Sequence, residues 1–295
     1  MMILTGRKVV WNMSVSSQML LGLNRLFPLP VHPFNLANEG QMSYTEWQFQ
    51  KGDQTIQFFL PYHSQEQMFT GKTVLDIGCG GGGKTCYYAT FKPEKMIGID
   101  IVPHYAVEGN EFAKQKGLAD VVSFMTGDAA NMSFADNTFD TIIMNDAMEH
   151  VGEPEKTLAE CFRVLKPGGH LYINFPPYYH PYGAHLSDAI GIPWVHALFS
   201  EQALIRAYKE LVRDLPDGAD RLSFRFSTGP DGRETISYIN QMTIKRFRRI
   251  QQGVTQPAVY EREIPLRNQL KPLAKLPGLR EFFVKMVVCV YRKEA

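Results

Sequence analysis

The feature that most constrains this chain is a run of glycines that directly follows an apolar segment. Thr73 to Ile77 reads Thr-Val-Leu-Asp-Ile, which predicts a short buried strand, and Gly78-Cys79 and four consecutive glycines follow it. Glycine allows a positive φ and a close approach of the backbone to a ligand. The helix predicted over Lys84 to Thr90 would begin with unpaired N–H groups. This order of elements predicts an α/β domain with a binding site at the glycine turn.

Two ligand classes fit this turn. Gly78, Gly80 and Gly83 satisfy the G-x-G-x-x-G dinucleotide fingerprint, and Asp100 follows at the spacing expected of an acid that binds ribose. The match is weak, because four consecutive glycines satisfy many patterns. The carboxylate of Asp76, at the end of the strand, does not suit a phosphate but does suit an ammonium group. A glycine-rich loop without a ligand is the third interpretation.

Polar residues follow three further apolar stretches in the same way. The stretches are Met96 to Ile101 with Asp100 near its end, Val121 to Thr126 with Asp128 after it, and Thr141 to Met144 with Asn145 after it. Strands that alternate with helical segments predict a parallel sheet covered on both faces, with right-handed crossovers. Ligands of such sheets bind beyond the carboxyl ends of the strands. We therefore expect these polar side chains to lie close together.

Two stretches of this core resemble a known family. Val74 to Gly83 resembles the first motif of class I S-adenosylmethionine-dependent methyltransferases, in which D-x-G-x-G follows a hydrophobic strand, and Arg163 to Gly169 resembles the family's entry to its fifth strand. The resemblance implies a doubly wound, seven-stranded, mostly parallel α/β sheet of the Rossmann-like methyltransferase fold, with an antiparallel last strand. The units we expect are an N-terminal helical extension (1–70), a cofactor-binding core (71–175), a substrate lid inserted after the fifth strand (176–240), and a C-terminal helix and strands that complete the sheet (241–295).

The resemblance also implies S-adenosylmethionine as the cofactor and S-adenosylhomocysteine as the product, with a role for each strand end. The cofactor-binding residues it implies are Asp76, Gly78, Gly80 and Asn145 for the methionine part, Asp100 and Ile101 for the ribose, Asp128 and Ala129 for the adenine, and Tyr44 as an aromatic that closes over the cofactor. A helix cap at Asp100, a plain loop role for Asp128 and a packing role for Tyr44 remain alternatives.

Three histidines are candidate catalytic residues. A neutral hydroxyl acceptor needs a base, and an imidazole suits that task because its pKa lies near working pH. His150, His180 and His185 fall on segments expected to face the pocket, although each of them is also suited to a loop-stabilising hydrogen bond. No nearby carboxylate or cysteine completes a recognised metal motif around His180 and His185, so we expect no metal site.

The segment after the fifth strand is rich in aromatic residues, which favours a flat or apolar small-molecule acceptor. They are Phe175, Tyr178, Tyr179, Tyr182, Trp194 and Phe199. We expect methyl transfer to a small molecule, at oxygen first, with carbon or nitrogen next. An NAD(P)-dependent oxidoreductase and a non-catalytic S-adenosylmethionine-binding or partner-activating protein remain alternatives.

Composition and the flanks add expectations about partners and location. The formal net charge is only +1, and the basic run Lys245 to Arg249 has apolar residues at helical spacing, so we expect a solvated helix face and no nucleic-acid partner. The four cysteines form no CxxC pair, which indicates reduced thiols in a cytoplasmic protein. The apolar patch from Met19 to Phe27 is too short for a membrane span and favours an amphipathic helix.

Overall fold

The structure of the protein is a computed structural model that describes residues 14–254 and 256–294. Over these residues the strands are β1 (Thr73–Ile77), β2 (Lys95–Asp100), β3 (Val122–Thr126), β4 (Phe139–Asn145), β5 (Leu165–Phe175), β6 (Phe226–Thr228), β7 (Glu234–Ile236), β8 (Ala258–Pro265) and β9 (Val284–Arg292). Seven of them form one sheet in the order β3-β2-β1-β4-β5-β9-β8, and β6 pairs with β7 in a separate hairpin.

The helices surround this sheet and also form the two flanking regions. They are α1 (Val15–Asn24), α2 (Pro33–Asn38), α3 (Tyr44–Gln50), α4 (Gly52–Ile56), α5 (Gln65–Phe69), α6 (Gly83–Ala89), α7 (Pro103–Gln115), α8 (Pro154–Val164), α9 (Val195–Leu198), α10 (Glu201–Val212), α11 (Gly218–Arg225), α12 (Ile244–Gln252) and α13 (Arg280–Phe283). Short 3₁₀ turns cover Asn268–Leu270 and Leu273–Lys275.

The sheet has the predicted topology. The five strands from β1 to β5 are mutually parallel, and β9 runs antiparallel to both β5 and β8. The doubly wound, seven-stranded sheet with an antiparallel last strand is therefore confirmed. Its strands read as nearly continuous apolar runs because helices cover both faces of the sheet.

Two hydrophobic clusters lie on opposite faces of the sheet. One contains Leu158 of α8 and Phe247 of α12, and the other contains Cys86 of α6, Phe112 of α7 and Met68 of α5. Helix α5, which directly precedes β1, thus belongs to the second of these layers. No helix within residues 14–254 and 256–294 is long and apolar enough to cross a membrane.

A third cluster joins the N-terminal helix to the segment that follows β5. Leu20 of α1 is fully buried among residues of this segment, which include Ile192, Leu204 and Tyr208. The side chain of Asn24 donates to the carbonyl of Ala189 at 3.0 Å and accepts from the N–H of Gly191 at 2.8 Å. We call the region built from α1, α2 and residues 176–240 the cap.

Local contacts set the boundaries of several elements. Ser200 caps α10 through a hydrogen bond from Ala203 N, and Thr243 caps α12 by accepting from the N–H of Arg246. Strand β5 begins at Leu165, because Leu165 pairs with Phe139 of β4. All four cysteines are buried and free.

Candidate cofactor and acceptor site

The glycine turn has one open side. Gly78 and Gly80 have φ values of +73° and +53°, in the left-handed region that favours glycine. A Cβ atom on Gly78 would lie 2.7 Å from the Cβ of Ala147, whereas on Gly80 its nearest neighbour would be Gln48 Oε1 at 4.0 Å. A ligand can therefore approach the backbone at Gly80.

Helix α3 packs against the other side of the same turn. A Cβ atom on Gly83 would overlap the carbonyl of Thr45, and one on Gly81 would overlap the Thr45 hydroxyl. Tyr44 begins this helix, and its hydroxyl accepts a hydrogen bond from Gln48 Nε2 at 2.9 Å. Burial raises the pKa of Tyr44, and the charges of Lys84, Asp146 and Asp100 also act on this pKa. Tyr44 therefore lies near the ends of β2 and β4, where these acids are found.

The acids of β1 and β2 are held in different ways. Asp76 is buried and accepts from Thr85 Oγ1 at 2.6 Å, and burial raises its pKa to about 7. Asp100 accepts backbone N–H bonds from Gly80 and Val102, each at 3.0 Å. Asp100 therefore links the glycine turn to the turn before α7, and burial raises its pKa as well.

The residues predicted to bind adenine lie at the rim of the sheet edge. Asp128 is exposed and accepts from Ala130 N at 2.9 Å, while Ala129 is half-buried against the core. The side chain of Ile101 is 68% exposed. These three residues thus border solvent beside the ends of β2 and β3.

Asn145 and Asp146 lie at the end of β4, beside the start of α6. Asn145 Nδ2 donates to Tyr88 Oη at 2.6 Å, while its Oδ1 is buried without a hydrogen-bond partner in the described residues. Asp146 has a φ of +53° and its Oδ2 lies 2.8 Å from Lys84 Nζ. Lys84 Nζ also points to the carbonyl of Asn145 at 3.5 Å.

Of the three predicted histidines, the structure brings two together. The rings of His150 and His185 are 4.9 Å apart, edge to face, and the buried Glu149 lies beside them. His150 Nδ1 is 2.9 Å from the carbonyl of Tyr238; because a carbonyl only accepts, Nδ1 carries the proton and Nε2 keeps its lone pair. Burial lowers the pKa of His150 to about 4, so the ring is neutral at pH 7.

The third histidine is held by its own loop. His180 Nδ1 accepts from the N–H of Tyr182 at 3.2 Å, and burial lowers the pKa of His180 to about 4. This contact is the loop-stabilising arrangement that the sequence left open for each histidine.

Comparison with known families identifies a family profile that matches the residues of this site. Residues 75–173 match the family profile described as Methyltransferase domain. Residues 75–173 thus carry the sequence of a methyltransferase domain. This match covers the part of the chain on which the sequence resemblance rests.

Curated relatives match about a third of the chain. Sterol 24-C-methyltransferase of Pneumocystis carinii is 37% identical over 105 residues, which are 36% of this chain and 28% of that protein. The probable chloroplastic tocopherol O-methyltransferase of Oryza sativa is 37% identical over 102 residues, 35% of this chain and 28% of that protein. Norajmaline N-methyltransferase of Rauvolfia serpentina is 38% identical over 102 residues, 35% of each chain. The chain thus spans about a third or less of these relatives.

Solved structures share the fold over most of the chain. A putative sarcosine dimethylglycine methyltransferase from Galdieria sulphuraria superposes with a TM-score of 0.52 at 16% identity, covering 88% of this chain and 97% of that one. The PH0226 protein from Pyrococcus horikoshii gives a TM-score of 0.51 at 20% identity, covering 83% and 91%. At such identities the likeness concerns the fold.

Sequence reasoning missed two residues of the candidate site, Lys84 and Glu149. A signal for Lys84 was present, because a cation in the first turn of a helix opposes the helix dipole unless an acid compensates it. Glu149 gave no comparable signal, since its burial depends on the cap, which packs from a distant part of the sequence.

Proposed function

We propose that the protein transfers the methyl group of S-adenosylmethionine to the oxygen of a small-molecule acceptor. The observation that carries the proposal is the open backbone at Gly80, with the side chains of Asp76, Asp100 and Asn145 around it, inside a methyltransferase domain. The curated relatives are named as carbon, oxygen and nitrogen methyltransferases, so the domain alone does not select the acceptor atom.

The residues at the strand ends fit the methionine part of the cofactor. Gln48 Oε1 and Asn145 Oδ1 are buried acceptors without a partner in the described part of the chain, and Asp76 is a buried carboxylate with a raised pKa. An ammonium group has three donors and a positive charge, which would pair with such acceptors and stabilise the charged form of Asp76.

The other predicted residues follow along the same edge. A carboxylate offers about four lone-pair positions, so Asp100 keeps acceptor capacity for two ribose hydroxyls after it has bound two backbone N–H groups. Asp128 and Ala129 would bind the adenine at the rim beside Ile101, and Tyr44 would close over the cofactor. When bound, the cofactor supplies a methyl group on a sulfonium, and the chain aligns the acceptor and excludes water.

His150 is the favoured base among the three histidines. Its Nε2 keeps a lone pair because Nδ1 donates to the carbonyl of Tyr238. A hydroxyl acceptor requires such a group, and this requirement supports oxygen as the target. His185 is next to it, whereas His180 is held by its loop.

Two measurements test this function. Calorimetry should detect binding of S-adenosylhomocysteine, and incubation with labelled S-adenosylmethionine and a metabolite extract should give a labelled small molecule, whose methylated atom is identified by NMR. Replacing His150 with Ala should lower kcat by about 10²-fold or more, in line with general-base catalysis. Absence of cofactor binding at millimolar ligand would exclude S-adenosylmethionine as the cofactor. An unchanged kcat in the Ala variants of all three histidines would exclude a histidine base.

The same experiments separate the alternatives. A thermal shift with NAD(P) but not with S-adenosylhomocysteine would favour an oxidoreductase. Cofactor binding without any labelled product would favour a binding or partner-activating protein. For location we propose the cytoplasm, because four buried free thiols are typical of reducing compartments. With a net charge of +1, we expect no polyanionic partner.

A further inference from the structure

Three side chains with metal-ligating atoms come together from different parts of the chain, at the place where we propose that the acceptor binds. Glu149 and His150 follow β4, and His185 belongs to the cap. One ligand atom from each lies within 4.8 Å of the other two. We propose that Glu149, His150 and His185 form a binding site for a divalent transition-metal ion of the zinc type. This replaces the expectation of no metal site, which considered only His180 and His185.

Glu149 supplies the strongest argument, because its carboxylate accepts no hydrogen bond from the described residues. The residue is 3% exposed, and neither Oε1 nor Oε2 has a hydrogen bond within residues 14–254 and 256–294. The nearest nitrogen is His150 Nε2, 3.7 Å from Oε1. A buried, unpaired carboxylate is costly, so this group needs either a proton or a cation. Burial raises the Glu149 pKa well above its usual range, which makes the proton the competing occupant.

The two imidazoles are in the form that a metal requires. The Nδ1–H of His150 is donated to the Tyr238 carbonyl, and this orients the Nε2 lone pair toward Glu149. Metal-bound histidines commonly use their second ring N–H in this way. The His185 ring receives no hydrogen bond from the part of the chain that the structure describes.

The donor set selects the class of ion. Two imidazole nitrogens and one carboxylate suit zinc and its neighbours, whereas magnesium and calcium prefer oxygen ligands. Zinc lies about 2.0–2.2 Å from such ligands, which brings tetrahedral ligand atoms to about 3.4 Å from one another. The separations between ligand atoms, now up to 4.8 Å, would therefore shorten by up to about 1.4 Å. Three protein ligands leave a fourth position open for water or an acceptor oxygen.

Metal binding does not depend on the proposed methyl transfer. An ion at this site would take the Nε2 lone pair that His150 otherwise offers as a base. The ion would then lower the pKa of a bound hydroxyl in place of the imidazole. Cofactor binding at the glycine turn would be the same with and without the ion.

The experiment uses the full chain, freed of metal with a chelator and titrated with Zn²⁺ against a chromophoric competitor. We expect a single ion per chain, no competition from millimolar Mg²⁺, and Co²⁺ absorption bands without the thiolate contribution that cysteine ligands give. Glu149→Gln and His185→Ala should each weaken Zn²⁺ binding at least about tenfold. His196→Ala is the matched control, because His196 is a cap histidine that packs against the rings of Tyr178 and Tyr179 and is not one of the three clustered ligands, so the variant should bind Zn²⁺ like the wild type.

Two outcomes would overturn the site. One is wild-type protein that takes up no stoichiometric Zn²⁺ or Co²⁺ while it still binds S-adenosylhomocysteine; Glu149 is then simply protonated. The other is unchanged Zn²⁺ affinity in both Glu149→Gln and His185→Ala. Circular dichroism checks that each variant is folded, and the wild-type Co²⁺ spectrum stands even if a variant is not. Loss of cofactor binding with intact metal binding would instead contradict the proposed function alone.

Discussion

The Nζ atom of Lys84 lies 2.8 Å from Oδ2 of Asp146, and this ion pair joins the first turn of α6 to the residue after β4. Each partner is unfavourable by itself. A lysine at a helix start opposes the helix dipole, and a non-glycine residue at φ +53° is uncommon. The N–H of Asp146 is held by Asn174 Oδ1 at 2.9 Å. The pair thus links the start of α6, which follows β1, to the end of β4, where we propose that the methionine part of the cofactor binds.

Replacing Lys84 with Met should weaken S-adenosylhomocysteine binding by about tenfold, since it removes the charge that compensates Asp146. The free energy of unfolding should fall by about 1–3 kcal/mol, the cost of leaving a partly buried polar partner unsatisfied. Calorimetry and urea unfolding measure the two effects. Lys156→Met is the control, because that side chain is 67% exposed in its pair with Glu153. Equal cofactor affinity in Lys84→Met and wild type would assign the pair a structural role only.

Gly78→Ala tests the steric requirement of the glycine turn, with Gly71→Ala as a matched control. Both glycines have φ near +70°, at +73° and +67°, but only Gly78 lacks room, because its Cβ would lie 2.7 Å from that of Ala147. Strain at positive φ should cost each variant about 1–2 kcal/mol. The steric overlap should lower the free energy of unfolding of Gly78→Ala by about 1–3 kcal/mol more, as measured by urea unfolding. It should also abolish tight cofactor binding. Equal losses in the two variants would contradict this account.

The sequence predicted the sheet well because each of its signals is local. Apolar runs such as Thr141 to Met144 depend only on neighbouring residues. The strand ends then followed from the general rule for parallel sheets. The rule could not tell how each acid is held, and so it missed that Asp100 bridges Gly80 to Val102.

The cap was the part that the sequence could not assemble. The N-terminal extension and the lid appeared as separate units, yet Leu20 and Asn24 of α1 are buried against the segment after β5. Contacts between residues 165 or more positions apart leave no periodic pattern in either segment. The burial of Glu149, which lies next to this region, was hidden for the same reason.

Asp100→Asn should raise the dissociation constant for S-adenosylhomocysteine by roughly tenfold. The amide loses the charge and one acceptor, and charge-assisted hydrogen bonds are worth about 1.5–3 kcal/mol. Asp128→Asn is the comparison, because Asp128 is exposed and its loss should weaken binding by a smaller factor. Calorimetry at one ionic strength gives both numbers. A larger loss of affinity in Asp128→Asn than in Asp100→Asn would contradict this prediction.

The free energy of unfolding should fall on acidification below neutral pH, in part because of His170. Burial, and then the neighbouring His63, Lys72 and Arg292, lower the pKa of His170 from 6.5 to about 4. Between pH 6.5 and about 4 the unfolded chain therefore binds more protons than the folded chain, so stability rises with pH across this window and is lost as pH falls. Urea unfolding at several pH values should show a shallower loss in His170→Gln.

Asp188→Asn should destabilise the cap more than any surface change. Oδ2 of Asp188 lies 2.9 Å from Arg221 Nη1, Oδ1 lies 2.9 Å from Arg225 Nη2, and Tyr208 donates to the same carboxylate at 2.5 Å. All three charged side chains are at most 3% exposed, so removing the central charge leaves Arg225 without a carboxylate partner among the described residues and Arg221 with Asp217 alone. Breaking such a buried network costs about 3–5 kcal/mol, which urea unfolding would measure.

The control for this network is Asp136→Asn. Asp136 pairs with Arg163 at the same distance of 2.9 Å, but it is 68% exposed, and surface pairs contribute about 0–1 kcal/mol. Because Asn24 and Asn35 of the N-terminal helices bind the backbone of residues 188–191, loss of the cap should also expose α1. Amide exchange should therefore rise in α1 and α11 of Asp188→Asn while the strands β1 to β5 stay protected. Uniform exchange across both regions would mean that cap and sheet unfold as one unit.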